Sequence, residues 1–516
     1  MRIGIDFGTT RIVAAAADRG NYPLVNFETP DGQVRDWFPA LLAVSGDKRA
    51  YGWEAAEKQG KSDWTVVRSV KRWLKTAGPP STIDIAGQRL DVSLLVTEMM
   101  TALRRELLDK STLGARKYDR FQVMLGVPAN ANSNQRFLTQ EAARSAGFEV
   151  LGLLNEPSAA AVEFVYRNRS DRRDRAKGGL LVYDLGGGTF DASLVALGEA
   201  ERSVIASDGI ADLGGDDFDE ILALLALAQA GKPEPIEDPL TGAEWYLLFD
   251  ECREKKESLN PNSRKITVDL ERVRKNWKEV SIGVDAFYER CRPLVDASRR
   301  VVEALLAAHP DHAIDTLYLT GGGSELPPVA RVLRETFGRR VQRSAYMRSA
   351  TAIGLAIRAE GYEDRPLRDQ FTKNFGVWRE ADDGRSVVFD VIFRRGVKLP
   401  PKGKEPLRIV RSYRPVHNIG YFRYLECAQL GANNQPEGEI SNWDEVRVPF
   451  DPMLRGSVDL TDQPVRRYAH AQELLIEEEY SCNSNGDVEV RISDKVTQQM
   501  NEYHIGRWSK HRKRTK

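Results

Sequence analysis

Cysteine is scarce in this 516-residue sequence: Cys252, Cys291, Cys427 and Cys482 stand far apart, and no pair has C-x-x-C spacing. That excludes a disulfide framework or a thiolate zinc knuckle, and reads as free buried thiols in a cytoplasmic protein. The six histidines form no H-E-x-x-H cluster, which argues against protein-liganded zinc. Long apolar runs are missing too. The nearest, Ile221 to Ala230, falls well short of the roughly 18 residues a membrane span needs. Asp6 interrupts the place where a signal peptide would carry its apolar stretch. Charge of one sign is absent: 75 Lys and Arg balance 75 Asp and Glu. Neither nucleic acid nor a membrane is therefore expected as a partner.

What the chain has is glycine at turns. Asp184-Leu185-Gly186-Gly187-Gly188-Thr189-Phe190-Asp191 follows the apolar run Leu180 to Tyr183, which reads as a buried strand. Glycines there let a phosphate approach the backbone N–H groups without meeting a Cβ. Asp184 and Asp191 suit a hydrated magnesium ion, and Thr189 adds a hydroxyl. The N-terminus carries a related stretch, Ile3-Gly4-Ile5-Asp6-Phe7-Gly8-Thr9-Thr10. Two such turns in one chain predict a duplicated α/β fold with a nucleotide held between its halves.

The rest of the first 360 residues alternates strand and helix signals. Val92 to Leu108 predicts an amphipathic helix and Phe121 to Val127 a strand, followed by a helix with Ser133 as N-cap and Gly147 as stop. Asn155-Glu156-Pro157 opens a helix rich in alanine. Capping explains Pro157 but only weakly Glu156. Gly214-Gly215 opens the helix that contains Ile221 to Ala230, and Gly321-Gly322-Gly323 is a third glycine turn after the strand Thr316 to Thr320. Arg167 to Lys177 and Gly231 to Gly242 read as surface connections.

From about Phe375 the period changes to two. Val387 to Phe393 and Ile419 to Glu426 alternate, and Leu474 to Ile492 predicts a hairpin around Asn483-Ser484-Asn485-Gly486. The domain reading is 1–360 for the nucleotide unit, 361–373 for a linker interrupted by Pro366, 374–495 for an all-β sandwich and 496–516 for a basic tail.

Asp6 to Thr10, Val127-Pro128-Ala129, Asn155 to Ala161, Asp184 to Asp191 and Gly214 to Asp219 occur in one order. Together they resemble the ATPase domain of the heat-shock protein 70 chaperones, over about residues 1–360. The resemblance implies an actin-like, ribonuclease H-type ATPase domain of two lobes with a five-stranded sheet each, plus a C-terminal β-sandwich for peptide. It implies ATP or ADP with magnesium, slow ATP hydrolysis, and a peptide or protein client. A J-domain co-chaperone and a nucleotide exchange factor would be the partners. Carried over, Lys71, Glu156, Asp184 and Thr189 are catalytic, and Asp6, Asp184 and Asp191 hold magnesium through water. Gly8, Thr9, Thr10, Gly186, Gly187, Gly188, Gly214, Gly215, Lys256, Gly321, Gly322 and Gly323 bind the nucleotide, while Pro128 and Arg136 relay its state. Outside that set Lys71 would read as a surface lysine.

The chain also departs from the family. The E-x-x-K-R-x-x-S helix appears as Arg253, Lys256, Glu257 and Asn260, so a base-stacking arginine is Glu257. The G-G-S-x-R turn ends in Glu325, and an acidic pair falls at Arg348-Ser349. Loss of the stacking guanidinium predicts ATP binding weaker than the family's. A linker with Leu367 as its one large aliphatic predicts weak coupling between nucleotide and peptide. About 20 residues after Lys495 leave no room for a helical lid, which predicts fast peptide exchange. Two other readings use the same fold: a weakly hydrolysing nucleotide-sensing scaffold, and a sugar or small-molecule kinase.

Overall fold

The computed structural model describes residues 1–78, 81–168, 178–198, 202–232, 239–361, 367–382, 385–401, 403–454 and 460–504. Most of the charged run to Lys177, the middle of the 231–242 connection, linker residues 362–366 and the tail beyond 504 lie outside the described residues. The chain forms two units, one of residues 1–131 and 138–367, the other of 132–137 and the residues from 368 onward.

The first unit is built on two five-stranded sheets with the same plan. In one, Arg2–Phe7 pairs antiparallel with Arg11–Ala16 and parallel with Gln122–Val127. Glu149–Asn155 and the two-residue strand Phe38–Pro39 flank them. In the other, Gly178–Leu185 pairs antiparallel with Phe190–Leu197 and parallel with Thr316–Thr320, flanked by Val341–Arg343 and Arg202–Ile210. The strand that opens each sheet ends one residue past an aspartate, Asp6 or Asp184. Ile3, Ile5, Leu181, Tyr183 and Leu185 are fully buried, as expected for strands covered on both faces.

Small residues set the helix packing here. The Glu156–Arg167 and Ala350–Glu360 helices cross where Gly354 meets Ala159: a Cβ on Gly354 would lie 1.8 Å from the Ala159 carbonyl oxygen. The alanine run after Glu156 thus serves close packing. The long helices Val92–Asp109 and Gly215–Gln229 fall where the sequence puts them, and Gly242–Glu257 and Val284–Ala307 follow further along the unit. One cap differs. Ser133 is the first residue of its helix, and Asn132 is the cap, its Oδ1 accepting from the Gln135 N–H at 2.9 Å. Both residues are good caps, and the sequence alone does not choose between them.

The second unit carries two four-stranded antiparallel sheets. One runs Ser386–Phe393, Asn374–Ala381, Ile419–Leu430, Pro436–Pro449; the other Leu407–Tyr413, Ile476–Cys482, Val488–Asp494, Gln499–His504. Phe375, Tyr424 and Trp443 of the first sheet share a core with Tyr480, Val490 and Ile492 of the second. The hairpin turn falls at Asn483 to Gly486, with Gly486 at φ +79° and Asn483 Oδ1 accepting from the Asn485 and Asp487 N–H groups. Residues 499–504, expected in the basic tail, form a strand instead. Their register, Val490 opposite Tyr503, closes an edge that would otherwise offer unpaired backbone.

Candidate functional site

Each hairpin in the first unit leaves its sheet through a tight turn, and the two turns touch. A Cβ on Gly187 would fall 2.2 Å from Thr10 Oγ1, and one on Gly188 would fall 2.7 Å from the Thr9 side chain. Only glycine allows that approach. The Gly186 N–H donates to the Thr189 carbonyl, closing the second turn at 2.9 Å. Gly215 and Asp216 donate to the carbonyls of Gly186 and Gly187, so the start of the next helix leans on the same turn. Lys256 ties it down, donating to the Gly215 carbonyl at 2.6 Å and pairing with Asp219 at 2.7 Å. The third turn closes the group: Gly321 sits at φ +83°, where a Cβ would meet Leu185 O and Asp184 Oδ1. Gly323 packs on Gly186 O, and Gly322 lies beside Arg348.

Beneath the turns lies a buried charge cluster. Lys71 Nζ donates to Glu156 Oε1 at 2.5 Å, and both side chains are almost wholly buried. Lys71 reaches this place from a four-residue helical turn, Val70–Trp73, preceded by Ser69 in the left-handed region at φ 59°. Such a conformation costs on the order of 1 kcal/mol for a non-glycine residue and persists only when its surroundings hold it. Here they do. Ser69 Oγ donates to Asp216 at 2.8 Å, and Arg72 donates to Gly188 O at 3.3 Å and pairs with Asp217.

Four carboxylates, Asp6, Glu156, Asp184 and Asp191, act on one another and on the single ammonium of Lys71. Burial, then the charge of Glu156, pushes the Asp6 and Asp191 carboxyls up to about 7, against the pull of Lys71. Asp184 is raised for the same reasons. Burial works against the Lys71 ammonium, but Glu156, Asp6 and Asp191 outweigh it and raise its pKa. The site is short of positive charge, which is the fit a divalent cation would meet. Among the described residues no three carboxylate, histidine or cysteine side chains are grouped to grip a bare ion. The donor set fits a cation that keeps its waters.

The turn after Pro128 joins this cluster, since the Ala129 and Asn130 backbone groups hydrogen-bond the Asp191 carboxylate. Arg136 belongs to the other unit, where its guanidinium donates to the Asn485 carbonyl at 3.1 Å. Every other residue expected at the nucleotide site is in this assembly. Residues that sequence reading missed are Ser69, Arg72 and Arg11. Arg348 was noticed only as a departure, yet its guanidinium bonds both Glu257, at 3.0 Å, and Glu325, at 2.5 Å. Arg11 also bonds Glu257, at 2.6 Å. The signal available was charge exchange: two glutamates where arginines were expected, and an arginine where an acid was.

Paired sheets of identical plan around touching glycine turns define an actin-like ATPase fold, joined to a β-rich second unit. The chain matches the family described as Hsp70 protein over residues 2–366, and it belongs to that family. It is 31% identical over 380 residues to a chaperone protein HscA homolog of Ralstonia nicotianae, covering 70% of this chain and 58% of the relative. Chaperone protein HscA homologs of Chromobacterium violaceum (30% over 382 residues, 70% of this chain) and Polynucleobacter necessarius (29% over 386, 69%) are similar. The match spans 58% of the length of each of these relatives.

Proposed function

We propose that the chain is an ATP-dependent chaperone that binds and slowly hydrolyses ATP in its first unit and holds a peptide or dedicated client in its second. The observation that carries this reading is the contact of the Thr10 and Gly187 turns, whose flanking Asp6, Asp184 and Asp191 act on the buried Lys71–Glu156 pair. Backbone N–H groups of Gly8 to Thr10, Gly187 and Gly188 would bind the phosphates, with Gly186 closing the turn and Gly214, Gly215, Lys256 and Gly321 to Gly323 shaping the nucleotide side. Asp6, Asp184 and Asp191 would hold magnesium through its waters. The ion would add the positive charge that phosphoryl transfer requires.

The chain's own residues do the rest. Lys71, held protonated by its acidic neighbours, serves as a fixed cation beside the transferred phosphate and not as a base. Glu156 keeps Lys71 in place, and with Asp184 it orients the attacking water. The Thr189 hydroxyl supplies a further hydrogen bond there. Hydrolysis needs no covalent nucleophile, only this positioning. Pro128 and Arg136 relay nucleotide state, and a J-domain co-chaperone and an exchange factor are the partners in this reading. So is a cytoplasmic location, which four free, buried cysteines suit.

Phosphate release from ATP by the full chain, with Lys71→Ala as control, tests the proposal. Slow turnover reduced at least 100-fold in the variant is expected. Magnesium-dependent binding without any turnover would leave the scaffold reading, and sugar-dependent turnover the kinase reading.

A further inference from the structure

The edge of the second sheet carries charge that the fold does not use. Between Val329 and Ser344 the chain has five arginines and a single acid, Glu335, in a protein whose charges balance overall. Arg331 and Arg334 stand three residues apart on the helix Pro327–Phe337, and so on one side of it. Arg339 and Arg340 follow in a short helical turn, and Arg343 ends the strand Val341–Arg343. All five are exposed. Among the described residues no carboxylate pairs with any of them, because both nearby acids are taken: Glu335 by Arg292 at 3.5 Å and Glu325 by Arg348 at 2.5 Å. Arg331 lies over the Tyr288 ring at 5.9 Å, and Arg343 reaches only the Glu325 carbonyl, at 3.4 Å.

Two ordinary causes cover part of this. Cations favour the last turn of a helix, which accounts for Arg334. A charge on an edge strand discourages stray pairing, which accounts for Arg343. Neither accounts for Arg331, Arg339 and Arg340. The strand beside them is open. Val341–Arg343 is the outermost of its sheet, paired on one side with Thr316–Thr320, and among the described residues no strand or bridge meets its other side. Such an edge accepts an added strand through its backbone, and the side chains around it select which strand. Guanidinium groups select carboxylates, which they bind through a two-pronged fork.

We propose that this edge is a docking site for an extended acidic segment of a partner protein, added as a further strand beside Val341–Arg343 with its carboxylates on Arg339, Arg340 and Arg343. Arg331 and Arg334 extend the positive field over the adjoining helix and speed the encounter. Nucleic acid fits less well. The exposed Tyr346 ring nearby, which could stack a base, already carries the Arg167 guanidinium at 4.8 Å. The site makes no use of the glycine turns or of the β-rich unit, so it stands or falls separately from the function proposed above.

Fluorescence anisotropy of the full chain with a labelled decapeptide of alternating glutamate and threonine tests it, beside the lysine–threonine counterpart. The glutamate peptide is expected to bind at least tenfold more tightly than the lysine one at low salt, and to weaken at least fivefold at physiological salt. Arg339→Glu combined with Arg340→Glu should weaken it at least tenfold. The milder Arg339→Gln with Arg340→Gln should weaken it at least threefold at an unchanged melting temperature, which guards against a folding defect. Methylating alternate backbone nitrogens of the peptide keeps its charge and should cost at least fivefold. A glutamate peptide that the wild type does not bind, or that both double variants bind as the wild type does, would overturn the inference. So would a methylated peptide that binds like its parent, or polyuridylate RNA that displaces the glutamate peptide and loses affinity in the same variants.

Discussion

The buried ammonium of Lys71 faces more negative charge than it can balance, and that imbalance has a measurable sign. Asp6 and Asp191 titrate near 7 in the folded chain, so between about pH 4 and 7 the folded state holds more protons than the unfolded one. Stability without a cation should therefore fall as pH rises through this window. A bound divalent ion reverses the effect by pulling both carboxyls down. Titration of magnesium–ADP at pH 6.5 in two buffers of different ionisation enthalpy should reveal proton release, fading toward zero near pH 8.5. Release that stays constant across that range would show that these carboxyls do not titrate with the ligand. Asp191→Asn should reduce the release, because one of the two groups is removed.

At the scale of elements, the hairpin around Asn483 to Gly486 and the paired glycine turns were legible because each depends on local chemistry. Asn-Gly and triple-glycine stretches leave the backbone few other uses. The two-residue strand Phe38–Pro39 and the polar strand Gln499–His504 were not legible, since their pairing is decided by the sheet edge they meet. Arg11 was missed for a related reason: its ion pair exists only once Glu257 is brought to it. The sandwich core holds a further test. Glu478, fully buried, accepts from Arg379 at 2.7 and 3.1 Å and from the Tyr480 hydroxyl at 2.5 Å. Removing Glu478 unpairs one edge of the Arg379 guanidinium, which keeps Asp390 at 2.7 Å, so the cost is that of lost charge-assisted hydrogen bonds, about 1.5–3 kcal/mol. Glu478→Ala should lower the denaturation midpoint of the β unit accordingly, and a change under about 1 kcal/mol would mean that water reaches the Arg379 guanidinium. Gly354→Val should also be severe, since its side chain would enter the Ala159 backbone. Failure to accumulate folded protein is the expected outcome, and a normally melting variant would contradict the packing.

Across the whole first unit, Glu257 joins a residue of the N-terminal hairpin, Arg11, to the approach of the Ala350–Glu360 helix at Arg348. Burial opposes its charge, but Arg11 and Arg348 prevail and hold the carboxyl down at about 2. A carboxyl lowered in this way contributes stability above its ordinary value near 4.5 and loses it as pH falls toward 2. The acid limb of the melting curve should therefore flatten in Glu257→Gln, and an unchanged limb would show that the bridge adds nothing. The claim beneath all of this is that two sister turns grip the phosphates of one nucleotide. Calorimetry of the full chain with magnesium–ATP, beside Gly187→Val as a variant checked for an unchanged melting temperature, tests it most directly. Saturable one-to-one binding that the variant loses by at least 100-fold is expected; a Gly187→Val chain that binds as the wild type does would contradict it.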